Sequence, residues 1–334
     1  MTVPSSDLGT HQVDTTATPE TVTGEVASKS PTKLALARLR KDKLTLISLA
    51  IVFLFLTAAI LAPVLVKFGM LDPYVDYQDL LDEFGQPQGN ISGISGDHWL
   101  GVEPGAGRDA LARLWYGTSF SLFIAISATF IAMTLGVVLG IVSGAAGGWV
   151  DAIIGRIIDL TLAFPQTLLL LALSTVGLEF IRRTVGIEDQ NTSAAIYVIV
   201  VLGAFGWTSI ARIVRGQVLS LREREFVQAA QMIGASRFRI YFREILPNLW
   251  APILVTFTLM MPAFVSAEAA LSFLGVGIGE PTPTLGNVLN TSLTYADTQF
   301  LYFFFPALLI AIIVVSFNLA GDGIRDALDP KAQR

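Results

Sequence analysis

The chain has 334 residues, of which 53% are hydrophobic and only 15% charged, a balance outside the range of a water-soluble domain and expected of an integral membrane protein. Its formal net charge is −5, but a membrane protein sorts its charges by side, so the total says little about partners. Cysteine is absent, which excludes disulfides, thiolate nucleophiles and cysteine metal sites.

Residues 1–32 are rich in Thr, Ser and Pro with scattered acids and nothing apolar in register, which predicts a disordered tail. A basic cluster follows (Lys33, Arg38, Arg40, Lys41, Lys43), and then an apolar run over residues 44–65. Crossing the hydrocarbon core takes about 20 apolar residues, so this run is the first span, and its basic flank places the N-terminus in the cytoplasm. Residues 66–118 are polar and acidic, punctuated by Gly and Pro, and predict a folded outer loop. Near its end Arg108 and Asp109 are expected to start an interfacial helix.

Further spans are expected over residues 119–143, 152–176, 194–213, 250–273 and 300–319. Seventeen of the 22 Lys and Arg residues then fall on the inner side, an N-in, C-in arrangement under the positive-inside rule. The fold class predicted is an all-α integral membrane protein with six transmembrane helices, residues 33–334 forming one membrane domain. In the second span Gly136, Gly140, Ser143 and Gly144 share one helix face, which reads as a packing seam or, less simply, a substrate track. Asp159 lies one turn from Arg156, as a salt bridge or an ion-coupling carboxylate, and Glu268 is a carboxylate at membrane depth with a functional or a structural role. Pro165 and Pro262 should kink or open their helices.

Between the fourth and fifth spans lies a charged segment, residues 212–247, with seven arginines and three glutamates. Phe226, Ala229, Ala230 and Ile233 recur at helical spacing, Gly234 fits a helix stop, and Ser236 can cap a second helix bearing Phe238, Tyr241, Phe242 and Ile245. The chain carries no P-loop and no nucleophile elbow, and His11 and His98 lie far apart in sequence, so no metal, no cofactor and no catalysis by this chain alone are expected.

Gln228-Ala229-Ala230, then Gly234, then Ile245-Leu246-Pro247 resemble the cytoplasmic EAA loop of ABC importer membrane subunits, with Gln228 standing where the family name implies glutamate. His98-Trp99-Leu100-Gly101, the stretch from Gly107 to Leu114, the run from Glu268 to Gly277 with its Pro-rich sequel, and residues 317–330 resemble the dipeptide, oligopeptide and nickel permease branch of that family. The resemblance implies a permease subunit in the plasma membrane of a prokaryote, importing dipeptides or oligopeptides. It further implies a homologous second permease, two ATPase subunits that bind the ATP and Mg, and an extracytoplasmic substrate-binding protein. No nucleic acid partner is expected. Glu225, Phe226, Gln228, Ala229, Ala230, Ile233, Gly234, Ser236, Arg237 and Phe238 would form the coupling element that docks on an ATPase subunit. Import of nickel or another small solute is the alternative within this fold. An ion-coupled secondary transporter is a further one, which would want several deep ionisable groups and an internal repeat.

Overall fold

The computed structural model describes residues 31–89 and 91–328, so most of the expected N-terminal tail lies outside the described residues. Helix α1 (Pro31–Leu39) precedes α2 (Lys43–Lys67), which begins where the Asp42 carboxylate accepts from the backbone N–H groups of Leu44 and Thr45 at 3.0 and 3.4 Å. A long loop leads to α3 (Ala110–Ala146), followed by α4 (Gly148–Ala163), α5 (Gln166–Val185) and α6 (Gln190–Leu221). Then come α7 (Glu225–Met232), the single turn α8 (Arg237–Arg239), α9 (Trp250–Phe273), α10 (Leu285–Leu293) and α11 (Phe300–Leu328).

Among the described residues, α2, α3, α6, the run from Arg237 to Phe273, and α11 are each long and apolar enough to cross a membrane. The pair α4 and α5 makes the sixth candidate, bent by 90°. The bend has a local cause in Pro165. Proline disfavours the helical region for the residue before it, and Phe164 is extended at φ −90°, ψ 137°. The third expected span, residues 152–176, is therefore broken rather than continuous.

Helices α3 and α6 form the spine of the molecule. Both outrun the bilayer: at 1.5 Å per residue their 37 and 32 residues extend to about 55 and 48 Å, against a hydrocarbon core of about 30 Å. The glycine face of α3 is their seam. A Cβ at Gly136 would fall 2.5 Å from Ile210 Cβ, one at Gly140 2.8 Å from the Ala211 carbonyl oxygen, and one at Gly144 2.9 Å from Val218 Cβ. The small residues thus let two backbones approach, which is how membrane helices gain dispersion contact without a hydrophobic drive.

At one end of the spine, the loop between α2 and α3 is pinned by a buried ion network. Glu103 accepts from Arg108 Nε at 2.7 Å and from the Tyr302 hydroxyl at 2.9 Å, while Glu280 accepts from Arg108 Nη1 and Arg113 Nη2, both at 2.6 Å. Burial pulls the Arg108 guanidinium down, but Glu103 and Glu280 together push it further up, so it ends above the usual arginine value. Asp109 caps α3 by accepting from Ala112 N at 2.6 Å, and His98 Nδ1 lies 2.7 Å from the same carboxylate. Helix α3 consequently starts at Ala110, where Arg108 and Asp109 are expected to start a helix, and runs without a break into the span expected from residue 119. The short helix α10 folds back among α3, α9 and α11. Its capping box pairs the N–H groups of Thr284 and Asn287 with each other's side chains, and Ser121 of α3 accepts from Leu285 N at 3.1 Å.

Candidate docking site on the central loop

The opposite end of the spine carries the central loop. Three residues separate α6 from α7, and α7 stops at Gly234, whose φ of +76° puts it in the left-handed region that favours glycine. The stop is sealed by Ile233 N to Ala229 O at 3.1 Å, Gly234 N to Gln231 O at 3.0 Å and Ala235 N to Ala230 O at 3.0 Å. Ser236 then caps the next turn by accepting from Arg239 N at 3.3 Å. Residues Ile240–Ile245 form a wide π turn and Leu246–Leu249 a tight 3-10 turn before α9. Pro247 lacks the N–H that a regular α-helix would need there, and the change of pitch accommodates it.

Two break-separated helices are therefore present as expected, but their faces differ from the expected stripe. Val227 and Ala230, three residues apart, are the buried positions of α7. Phe226 and Ala229 are exposed, and so are Met232 at 89%, Ile233 at 79% and Phe238 at 71%. Ala230 thus packs inward on this chain. The apolar surface left uncovered consists of Phe226, Ala229, Met232, Ile233 and Phe238, the last with its ring centre 4.3 Å from that of Phe242 and tilted by 30°. Fully burying a side chain of this kind is worth about 1.5–3 kcal/mol, so a few of them suffice to anchor a partner.

Polar groups rim this surface. Glu225 opens α7, where a negative charge suits the helix dipole, and Arg224, Arg237, Arg239 and Arg243 are exposed around it. Gln228 donates to the Glu223 carbonyl at 3.2 Å. Behind it a polar cavity of about 560 Å³ is lined by Arg222, Gln228, Gln231, Arg237 and Tyr241. Of the ten residues expected to act here, nine present themselves outward or shape the loop ends, and Ala230 alone is turned in. Met232 was not among the expected residues, although its place beside Ile233 at the helix end is a readable signal.

Comparison with known proteins bears on this arrangement. Residues 136–334 match the family described as "Binding-protein-dependent transport system inner membrane component", and residues 30–86 match "N-terminal TM domain of oligopeptide transport permease C". The chain belongs to this permease family. It is 38% identical over 311 residues to the dipeptide transport system permease protein DppC of Bacillus subtilis, covering 92% of this chain and 88% of that one. It is 36% identical to the oligopeptide transport system permease protein OppC of the same organism, covering 90% of each. Over 77% of each chain it is 37% identical to the glutathione transport system permease protein GsiD of Pectobacterium atrosepticum. Among solved structures, the inward-facing MetNI methionine ABC transporter aligns with a TM-score of 0.50 at 20% identity, covering 66% of this chain and 97% of that one, a likeness of fold. The protein is accordingly an inner-membrane permease component, consistent with its five apolar helices and bent sixth.

Two carboxylates singled out from sequence take different places in this permease. Asp159 does not pair with Arg156. It accepts from Arg212 Nη2 of α6 at 2.8 Å, and both groups are more than half exposed, at 61% and 58%. Asp159, Arg156 and Arg212 all line one polar cavity of about 410 Å³. Glu268 is fully buried on α9, where its Oε1 accepts from the Ser272 hydroxyl at 2.8 Å, while its Oε2 accepts no hydrogen bond among the described residues.

Proposed function

We propose that this chain is the membrane permease subunit of an ATP-driven ABC importer that brings dipeptides or oligopeptides into a prokaryotic cell across its plasma membrane. The observation that carries the reading is the similarity to dipeptide and oligopeptide permease subunits over about nine-tenths of the chain's length. Glutathione, the cargo in another relative's name, is itself a small peptide. In this reading the chain performs no chemistry. Two ATPase subunits bind ATP and Mg and hydrolyse it, a homologous second permease completes the pathway, and an extracytoplasmic binding protein delivers the peptide.

The orientation proposed is N-in and C-in, with the ion-pinned loop outside and the central loop in the cytoplasm. The exposed apolar face of α7 and α8 would then seat on an ATPase subunit, with Glu225, Gln228 and Arg237 at its polar rim and Gly234 and Ser236 fixing the turn between the helices. Closure of the ATPase pair would move this loop and rock the membrane helices between outward and inward access.

The test is genetic and chemical. Deleting the gene is expected to abolish growth on peptides as sole source of an amino acid and leave nickel-dependent activity unchanged. Normal peptide uptake with lost nickel accumulation would assign the permease to nickel instead.

A further inference from the structure

The central loop is gripped by a part of the molecule that its docking role does not explain. Between α3 and α4 the chain turns through an elbow, residues 143–151. Arg215 of α6 binds Asp151 with two parallel bonds, Nε to Oδ1 at 2.5 Å and Nη2 to Oδ2 at 2.7 Å, and the Ser143 hydroxyl donates to the same Oδ1 at 2.5 Å. Just beyond α6, Arg222 Nη1 reaches the Gly144 carbonyl at 3.4 Å, and from the π turn the Tyr241 hydroxyl donates to the Ala145 carbonyl at 3.1 Å. Val218 closes on Gly144, which has no room for a Cβ. The end of α6, the elbow and the second half of the loop are thereby joined at four points.

The turn of the elbow itself is made by two glycines. Gly147 and Gly148 have φ values of +61° and +55°, and a Cβ at either would meet nothing within 4 Å. Such a pair turns without steric cost. Helix α4 beyond it does not join the main core. Its buried Ile154 and Ile158 form a separate small cluster with Trp207 and Ala211 of α6, against which Leu139 of α3 and Val150 also pack, and the solvated Asp159–Arg212 pair lies beside a cavity of about 410 Å³. At its far end α4 meets the 90° break at Pro165.

From this geometry we propose that the elbow passes movement of the central loop to α4, with Asp151 and Arg215 as the positioning pair that makes the loop, the elbow and the base of α4 move as one body. The bidentate geometry is what gives the pair its direction: a guanidinium held by two bonds transmits rotation, where a single contact would swivel. The inference rests on the reading that the central loop docks on an ATPase subunit. It assigns these two residues a role in coupling rather than in docking, since neither is on the exposed apolar face.

The test uses the complete transporter, with both permeases, ATPases and binding protein, reconstituted in liposomes with radiolabelled trialanine. Asp151→Asn and Arg215→Gln are expected to leave the assembled amount and the basal ATP hydrolysis unchanged. Each should lower trialanine moved per ATP by about fivefold or more, the low end of couplings between distant sites. The exchange pair Asp151→Arg with Arg215→Asp should recover much of that loss. An unchanged yield per ATP in both single variants would overturn the proposal, as would a loss proportional to reduced assembly. A second readout needs no transported solute. Because the chain has no cysteine, spin labels can be placed at Trp149 and Glu223, both exposed. Their distance should stay constant when ATP binds, and a change of more than about 2 Å, the scale of helix shifts at interfaces, would refute the single body. If the native complex moves no trialanine, the peptide reading fails while the label distances still decide the role of the elbow.

Discussion

The two ends of the α3–α6 spine hold their charges in opposite ways. At the end bearing the loop before α3, Glu103, Arg113 and Tyr302 are almost wholly buried, and with Arg108 and Glu280 they tie four segments together. At the other end, Arg212 with Asp159 and Arg222 with Glu223 are solvated pairs, and the apolar side chains of α7 and α8 stand uncovered. A buried charge that loses its partner is costly, whereas an exposed pair adds little and re-forms readily. One end is therefore closed on itself, while the other, though braced inside by the Asp151–Arg215 pair, keeps solvated pairs and an uncovered apolar face that a partner can engage.

The contrast fails first if the buried network is dispensable. Glu103→Gln leaves Arg108 and the fully buried Arg113 sharing the partly exposed Glu280 and weakens the Tyr302 contact, and is expected to destabilise the protein by about 3 kcal/mol, the low end for a broken buried pair. Thermal unfolding of the purified complex should show a lower midpoint, and an unchanged midpoint would place the rigid end elsewhere. A smaller effect is expected along the spine itself. Gly140→Leu forces a side chain against the Ala211 carbonyl and Val214, and overpacking of this kind costs about 1–3 kcal/mol. The midpoint should fall less than for Glu103→Gln; Gly155→Leu, at a position with open space, is the control that should barely move it. The smallest effect belongs to the solvated pair. Asp159→Asn should change stability by less than about 1 kcal/mol, since its partner stays hydrated. A loss as large as that of Glu103→Gln would erase the difference between the ends.

These differences also mark what the sequence could reveal. The apolar runs set the spans because lipid leaves a chain few choices, and the glycine seam of α3, the stop at Gly234 and the break at Pro165 follow from backbone sterics alone. The helix start at Arg108 and Asp109 is legible in the sequence, but its continuity with the second span is not, because Arg113, polar on any scale, is neutralised by Glu103 and by Glu280, which lies 167 residues away. Sequence proximity points Asp159 to Arg156, whereas its partner Arg212 is 53 residues away on another helix. In the central loop, periodicity located the helix but not which of its residues turn inward. The small residues Val227 and Ala230 face in, while Phe226 and Ile233 face out. An apolar residue turned to water is unfavourable for this chain alone and makes sense with a partner, which no single-chain pattern displays.

The central claim is that this uncovered face is where an ATPase subunit binds. It is tested most directly by the double variant Phe226→Asp and Ile233→Asp in the affinity-tagged permease pair, with the ATPase subunits that stay bound quantified against the native protein. Placing two charges on the face should leave the permease pair intact in the membrane and remove most of the bound ATPase, a weakening of about tenfold or more for the loss of even one apolar anchor. Full retention of the ATPase subunits, with normal uptake, would contradict the account.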